Sequence, residues 1–554
     1  MKWIKRAVLG IFLAAAAVIG VLGFTKYQAR QAEAKAAEET SRKKEQIKEI
    51  YTTEYQEAVK KRLETAKESG TYTTEKMLVE QNPFGTNTLS LYVYFATEEP
   101  VSVSYVVSVP DSEIADFGGK VNQEETYTTE HEFQVIGLIP DMENTITFTP
   151  EAEDGTITTA SCKYKMGSLA GEEEVQLKQT AGQTDVSSQI SLPDSGLYVI
   201  LGNDSDDVDF MYYYDENGTI SGEVPLIGYR SHRLVFENDR MYYSISETKI
   251  AAVNELGMVE QVYDLGNYQL HHDYVLDDDG NLLILATDTG KQTVEDCVLK
   301  LNPSTGEVSC ILDLEDLLGD YKESLGMDQE DLDWVHINTI QWMGEDSILL
   351  SSRETSTILK IQNLNTAPEI AYMIGEESFW EGTGYENLLL TKDESNGSFS
   401  SAGGQHTVTY VTDDSLPDGQ YYLYLFNNNL GYSESRPDYD WSQIDQIATD
   451  LSSGTTSYYY KYKVDENAGT YTLVQSFEVP FSGYVSSVQE CEDTILVDSG
   501  MQGLIGEYKE DGTLVKQFQM NLSKYYIYRV YKYDFSGYLF TDCLLYTSPS
   551  PRDA

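Results

Sequence analysis

Asp277-Asp278-Asp279-Gly280-Asn281-Leu282-Leu283-Ile284-Leu285-Ala286 sets a tight-turn signal directly against an apolar run. An Asx-Gly pair tolerates the positive backbone angles that a tight turn needs, and a short apolar run behind it reads as a buried strand. The same pairing recurs at Asp215-Glu216-Asn217-Gly218, Pro303-Ser304-Thr305-Gly306, Pro417-Asp418-Gly419 and Glu510-Asp511-Gly512. Residues 185–542 therefore read as strand, turn, strand, repeated with no helical period. Roughly 350 residues of antiparallel hairpins fit a β-propeller, and at about 50–60 residues a blade they make on the order of six blades. The repeats are too degenerate to fix the number. The Asp-rich turns lack the spacing and the terminal Glu of a calcium loop, so they are read as plain turns.

Upstream the texture changes. Asn82-Pro83-Phe84-Gly85 opens a stretch of short alternating strands at Leu89–Ala96, Val101–Val109, Phe133–Leu138 and Thr145–Thr149. This spacing predicts a small β-sandwich over 81–168. Residues 28–80 are rich in Ala, Glu, Lys and Gln, and Ile47, Tyr51, Tyr55, Val59 and Leu63 recur every fourth residue. One apolar face on a helix predicts a helical stalk, with a homodimer as one use of that face and a lone solvated helix as the other. Lys2, Lys5 and Arg6 precede an apolar run from Ala7 to Phe24. Residues 1–27 are thus expected to be a membrane anchor that leaves the body outside the cytoplasm, with a cleaved signal and a secreted body as the alternative. Residues 543–554 break the strand texture, read as an appended artefact, and are given no functional weight.

Charge excludes one class of partner. The chain has 38 Lys+Arg and 91 Asp+Glu over 554 residues, a net charge of -53. Fourteen of the basic and nine of the acidic residues lie in 1–70, which leaves 24 against 82 and a net of -58 beyond. Nucleic-acid binding needs a cationic footprint, and none is present. The five cysteines, Cys162, Cys297, Cys310, Cys491 and Cys543, form no CxxC pair. They argue against a disulfide scaffold and against a cysteine-ligated metal, although Cys297 and Cys310 could meet across a hairpin.

The chemistry is expected at the histidines, of which there are six. His131 and His232 are read as structural. His272 in His271-His272-Asp273, His336 in Asp333-Trp334-Val335-His336-Ile337-Asn338 and His406 in Gly403-Gly404-Gln405-His406 are spaced by 64 and 70 residues, near one blade. Equivalent positions on successive blades would face one axis. Arg353 in Ser351-Ser352-Arg353 offers a permanently charged planar fork suited to oxyanions. Neutral imidazole is a nucleophile and a base near neutral pH. A three-histidine metal site is the rival, but Arg353 would repel a cation and no His-x-His spacing occurs, so no metal and no cofactor is expected. No Gly-x-Ser-x-Gly elbow suggests a serine hydrolase.

Taken in order, His271-His272-Asp273 with Asp279-Gly280-Asn281, Trp334-Val335-His336-Ile337-Asn338, Ser351-Ser352-Arg353 with Ile358-Leu359-Lys360-Ile361, and Gln405-His406 with Leu416-Pro417-Asp418-Gly419 resemble the bacterial arylsulfate sulfotransferases that work without 3'-phosphoadenylyl sulfate. Asn82-Pro83-Phe84-Gly85 and the stretch His131 to Asn144 resemble that family's small N-terminal β-domain. The resemblance covers roughly residues 80 to 540, and its motifs are specific only in combination. It implies a six-bladed propeller with a funnel-shaped central site. It implies transfer of a sulfuryl group from a phenolic sulfate donor to a phenol acceptor through a sulfated histidine. Carried over by motif, His406 is the nucleophile, and His272, His336 and Arg353 bind the sulfuryl oxygens. One imidazole among them protonates the leaving phenolate. Asn338 is read, from its nearness in sequence, as orienting His336.

Two features depart from the family pattern. Thr407 stands where the family often has an Asp after the nucleophile, so an orienting carboxylate is in doubt there. His271 is an alternative to His272. Some members of the family depend on a dedicated disulfide machinery, which this cysteine spacing does not support. Two other readings stay open: a non-enzymatic propeller that binds a glycan, peptide or anion, and an aryl sulfate hydrolase in which water replaces the phenol.

Overall fold

The structure is a computed structural model and describes residues 28, 30–31, 34–123, 125–171, 173–182, 196–203 and 208–541. The expected membrane anchor and the expected artefactual tail lie outside these residues. Among the described residues no helix is long and apolar enough to cross a membrane.

Every turn signal read from the sequence falls between two paired strands. In the first, Asp277 accepts from the backbone N–H of Gly280 and gives its own N–H to Asn281, while its Oδ1 takes the N–H of Asp279 and of Asn281. Gly280 sits at φ +75°, where a side chain would be strained. The Asp277 carboxylate is also paired with Lys300 at 2.8 Å. Its lone pairs thus serve the turn and the Lys300 pair.

Six sheets of four or five strands, antiparallel except for the short parallel edge strand Thr391–Lys392 of the fifth, are built this way from residue 178 onward, among the described residues. The inner strands of the third to sixth sheets are Tyr268–Leu276, Ile337–Gly344, His406–Val411 and Ser487–Glu490, and each packs beside the next. The C-terminal strand Val530–Tyr533 pairs with Leu197–Ile200 in the first sheet and packs beside Ser487–Glu490 of the sixth. At the other end, Lys178–Ala181 adds an outer strand to the sixth sheet. That strand precedes the start expected at 185, so both ends of the repeat region tie the last sheet to the first. The result is an all-β, propeller-like succession in which the inner strands of neighbouring sheets pack side by side.

The N-terminal β-region differs from expectation in one respect. The strands predicted at 89–96 and 101–109 are a single strand, Leu91–Ser108, with its register broken between Ala96 and Val101. Thr97-Glu98-Glu99-Pro100 holds no Gly or Asx to reverse the chain, and Pro100 marks only the register break, so the chain stays extended and carries neighbours on both halves. Its first half pairs with Leu78–Gln81 and Thr128–Val135, its second with Phe117–Lys120 and Glu143–Ala152. Phe95 and Phe133 from one layer meet Phe148 from the other at ring-centroid distances of 6.2 and 6.0 Å. One six-stranded sheet folded across itself therefore replaces two separate sheets.

The expected stalk is helical over 34–50 and Thr53–Ser69, exposed along its outer face and packed on its own chain from Ile47 onward. Its apolar face is spent on its own body. Tyr51 donates to the Pro225 carbonyl at 2.7 Å and meets the Tyr243 hydroxyl at 3.1 Å. Gln56 donates to the carbonyls of Ile50 and Phe84 and accepts from Val259 N–H. Val59 and Leu63 pack on Phe84 and Tyr92. The face expected to serve a homodimer is thus covered by the same chain, and the helix clamps the N-terminal sheet to the first two sheets of the propeller-like region.

Candidate active site

The same backbone kink recurs where the chain enters the axis. The register of the third sheet's first strand breaks between Leu270 and Tyr274, with His272 at φ +55°. His336, at φ +48°, stands just before Ile337–Gly344, and Thr407, at φ +52°, marks the break between His406 and Thr409. A bulge at the head of an inner strand re-aims its side chains. Three equivalent bulges turn three histidines from separate sheets toward the same place. Arg353 enters from the turn after Ser347–Ser352, held by its N–H to the carbonyl of His336.

His272 and His336 do form one cluster, together with carboxylates that the sequence reading left out, and His406 stands near enough to feel the charge of His336 and Arg353. The rings of His272 and His336 are 4.6 Å apart. Glu295 Oε2 lies 2.9 Å from His272 Nε2 and 2.7 Å from His336 Nδ1. Asp333 Oδ2 lies 2.6 Å from His336 Nδ1 and takes Arg353 Nη2 at 3.1 Å. Arg353 Nη2 also meets the buried Glu354 at 2.6 Å, while its Nε is buried without a hydrogen-bond partner among the described residues. His272 Nδ1 faces the Tyr528 hydroxyl at 2.9 Å. His271 lies behind His272, ring to ring at 5.1 Å. Asp273 of the same motif is fully buried and shared by Arg233 and Arg529.

His406 is held from a different side. Its Nδ1 is 2.9 Å from the Gly404 carbonyl and 2.8 Å from Asn428 Oδ1. Asn338 does not touch His336 in these bonds. It donates to the Gln405 carbonyl at 2.8 Å, so it steadies the segment that carries His406. Thr407 takes no part in orienting the ring; its hydroxyl accepts from Val488 N–H of the sixth sheet. Of the two histidines read as structural, His131 packs on Phe95 in the N-terminal sheet, but His232 lies next to the site, its ring 5.6 Å from that of Tyr528.

The two key imidazoles are driven to opposite charge states. Burial alone would lower His336, but Glu295 and Asp333 outweigh it and the opposing Arg353, and push it up to about 9. Burial lowers His406 to about 3 against the pull of Asn428, and the nearby His336, Arg353 and Arg529 press the same way. His272 is held well below its ordinary value, first by burial, although Glu295 opposes this. For Glu295 burial works upward, yet the three surrounding imidazoles hold it well below the usual carboxylate range.

His271, His272 and Glu295, and likewise Glu295, Asp333 and His336, bring ligand atoms within 4.8 Å of one another. Such sets can hold a divalent ion in principle. Their hydrogen-bond separations of 2.6 to 2.9 Å are shorter than the roughly 3.3 Å that separates ligands around a tetrahedral zinc with bonds of about 2.0–2.1 Å. The donors here are matched to one another, as proton-sharing pairs.

Next to Arg353 and Gly404 lies a cavity of about 420 Å³ walled by Leu430, Leu451, Tyr432 and Tyr484. Tyr432 and Leu451 are 51% and 47% exposed at its rim, unusual for large apolar groups. Glu295, Asp333, Asn428 and Tyr528 were missed in the sequence. Asp333 and Tyr528 adjoin motif residues or Arg529, and Asn428 stands in the run Asn427-Asn428-Asn429, but nothing in Thr293-Val294-Glu295-Asp296 signals a site.

Comparison with known proteins gives two family matches. A family model described as arylsulfotransferase (ASST) matches residues 183–529, and one described as an arylsulfotransferase Ig-like domain matches 78–167. No curated protein matches the chain significantly. Among solved structures, a provisionally assigned 6-phosphogluconolactonase from Bacteroides fragilis is similar at 11% identity over 78% of this chain and 98% of that one, with a TM-score of 0.35. BamB from Moraxella catarrhalis is similar at 10% identity over 62% of this chain and 90% of that one, with a TM-score of 0.29.

Proposed function

This chain belongs to the arylsulfotransferase family, and from that premise we propose that it moves a sulfuryl group from a phenolic sulfate ester to an acceptor phenol through a sulfated His406. The observation that carries this reading is the opposite charge state of two neighbouring imidazoles, His406 held neutral and His336 held charged. Paired groups whose surroundings push them apart mark a nucleophile or base and an acid.

In the first step the Nε2 lone pair of His406 attacks sulfur, and the sulfur–oxygen bond to the aryl group breaks with its electrons on oxygen. His336 Nδ1 is committed to Glu295 and Asp333, so the proton it offers the departing phenolate is on Nε2. In the second step the acceptor phenol gives its proton back to His336, its oxygen attacks sulfur, and the nitrogen–sulfur electrons return to His406. No outside co-reactant is needed, which makes the reaction independent of 3'-phosphoadenylyl sulfate and ping-pong in its kinetics. Arg353 would face the sulfuryl oxygens, where a fixed donor stabilises charge that develops in an in-line transfer, while His272, both of whose ring nitrogens are taken by Glu295 and Tyr528, would support the site from behind. The unpartnered Nε of Arg353 supports that role. The apolar cavity beside Arg353 supports an aryl ring seated over the site. The six sheets are read here as six blades of one propeller, with the site on its axis. Residues 1–27 are proposed to tether the body outside the cytoplasm, and carbonate extraction of membranes would release it if the segment were cleaved.

The test uses the full chain with a chromogenic aryl sulfate, with and without an added phenol, beside His406→Ala. Acceptor-dependent phenol release that disappears in the variant is expected. Sulfate release without any phenol would point instead to a hydrolase, and no release with any acceptor would leave a binding module.

A further inference from the structure

Asn428 has no assigned part in this chemistry, yet it makes the shortest hydrogen bond to His406, and its own amide cannot turn. Its Nδ2 donates to the carbonyls of Ser482 and Val485 at 2.8 and 3.0 Å. Carbonyls only accept, so the amide nitrogen must face them and Oδ1 must face the imidazole. His406 Nδ1 then lies between two acceptors, Asn428 Oδ1 at 2.8 Å and the Gly404 carbonyl at 2.9 Å. A nitrogen between two acceptors has to carry the hydrogen. The lone pair is thereby confined to Nε2.

We propose that Asn428 is the positioning residue of the sulfotransfer, holding His406 in the Nδ1–H tautomer so that Nε2 is always the nucleophile, and stabilising the sulfated ring. The inference rests on the sulfohistidine reading above. When Nε2 forms its bond to sulfur, the ring takes up positive charge, and the Nδ1–H bonds to Asn428 and Gly404 become charge-assisted. A neutral amide does this while raising the proton affinity of the free imidazole less than a carboxylate would. Asn428 thus supplies what the absent Asp at 407 cannot. Burial fits the role: Asn428 is fully buried, and Gly404 N–H is itself pinned by the Ser356 hydroxyl at 3.0 Å.

The experiment has two arms. Nitrogen-15 spectra of histidine-labelled full-length protein, with His406 assigned by comparison with His406→Ala, should show Nδ1 protonated and Nε2 bare. Only six histidines contribute to such spectra. In the kinetic arm, Asn428→Ala should lower kcat by roughly 10- to 100-fold, as expected for losing a hydrogen bond to a charged group, with KM for the donor little changed. Asn428→Asp should recover part of kcat while adding an acid limb to the pH profile that the parent lacks. An Nε2–H tautomer in the parent, or parental kcat with an unaltered pH profile in Asn428→Ala, overturns the proposal. If Asn428→Ala does not fold, the parental spectrum decides alone. Transfer that survives in His406→Ala would sink the sulfohistidine reading itself, a different failure.

Discussion

Glu295→Gln isolates the charge that this site depends on. The substitution keeps the shape and a hydrogen-bonding oxygen but removes the carboxylate that lies 2.9 Å from His272 and 2.7 Å from His336. In the parent, His336 is lifted from 6.5 to about 9, worth about 3 kcal/mol of preference for the imidazolium at roughly 1.4 kcal/mol per unit. An opposite charge at this range shifts a titration by about 1–3 units, so the basic limb should fall from about 9 to between roughly 6 and 8. The assay is kcat against pH for aryl sulfates of graded phenol acidity, at saturating acceptor. Esters of weakly acidic phenols need the proton most and should lose most. Esters of strongly acidic phenols should hardly notice. A limb that stays near its parental position, or a loss that ignores the leaving group, would refute His336 as the acid. Stability should follow the same group. Its folded value lies above the unfolded one, so the contribution is complete below about pH 6.5, disappears as pH rises through about 9, and shrinks in Glu295→Gln.

Other expectations concern packing and field. Leu63→Ala should cost about 2–5 kcal/mol in denaturant unfolding because Leu63 is buried against Phe84 and Tyr92, while the exposed Lys60→Ala should change little; equal, negligible effects would mean a free stalk after all. Arg353→Met should destabilise by about 3 kcal/mol, since the buried Glu354 loses its cation, and Arg353→Lys should restore stability far better than activity because a point charge lacks the planar fork. The net charge of -53 repels an anionic donor, so kcat/KM should rise roughly 2- to 10-fold as salt shortens the Debye length from about 30 to about 8 Å. A fall with salt would show that the local cations around Arg353 govern the approach.

Strand, turn and apolar alternation are local properties, and the chain's own spacing fixes them: the five hairpin turns at 215–218, 277–281, 303–306, 417–419 and 510–512, the all-β character, the helical period of 47–63 and the three histidines near inner-strand starts were legible from spacing. What packs on the helix was not. The pattern at Tyr51, Val59 and Leu63 says that a face is apolar, and a hydrophobic face has no address; only the folded chain shows that it is covered by Phe84, Tyr92 and Tyr243. Likewise, Glu295 is one of 82 acidic residues beyond position 70, and nothing nearby distinguishes it. It becomes special because a bulged connection brings it between His272 and His336, which come from two different sheets. The charge state of each imidazole is decided in the same way. Both are histidines at similar kinks, yet His336 meets two carboxylates and His406 meets an amide and a carbonyl. Proton affinity depends on burial and on charges a few ångströms away in space, and those neighbours lie far apart in the chain.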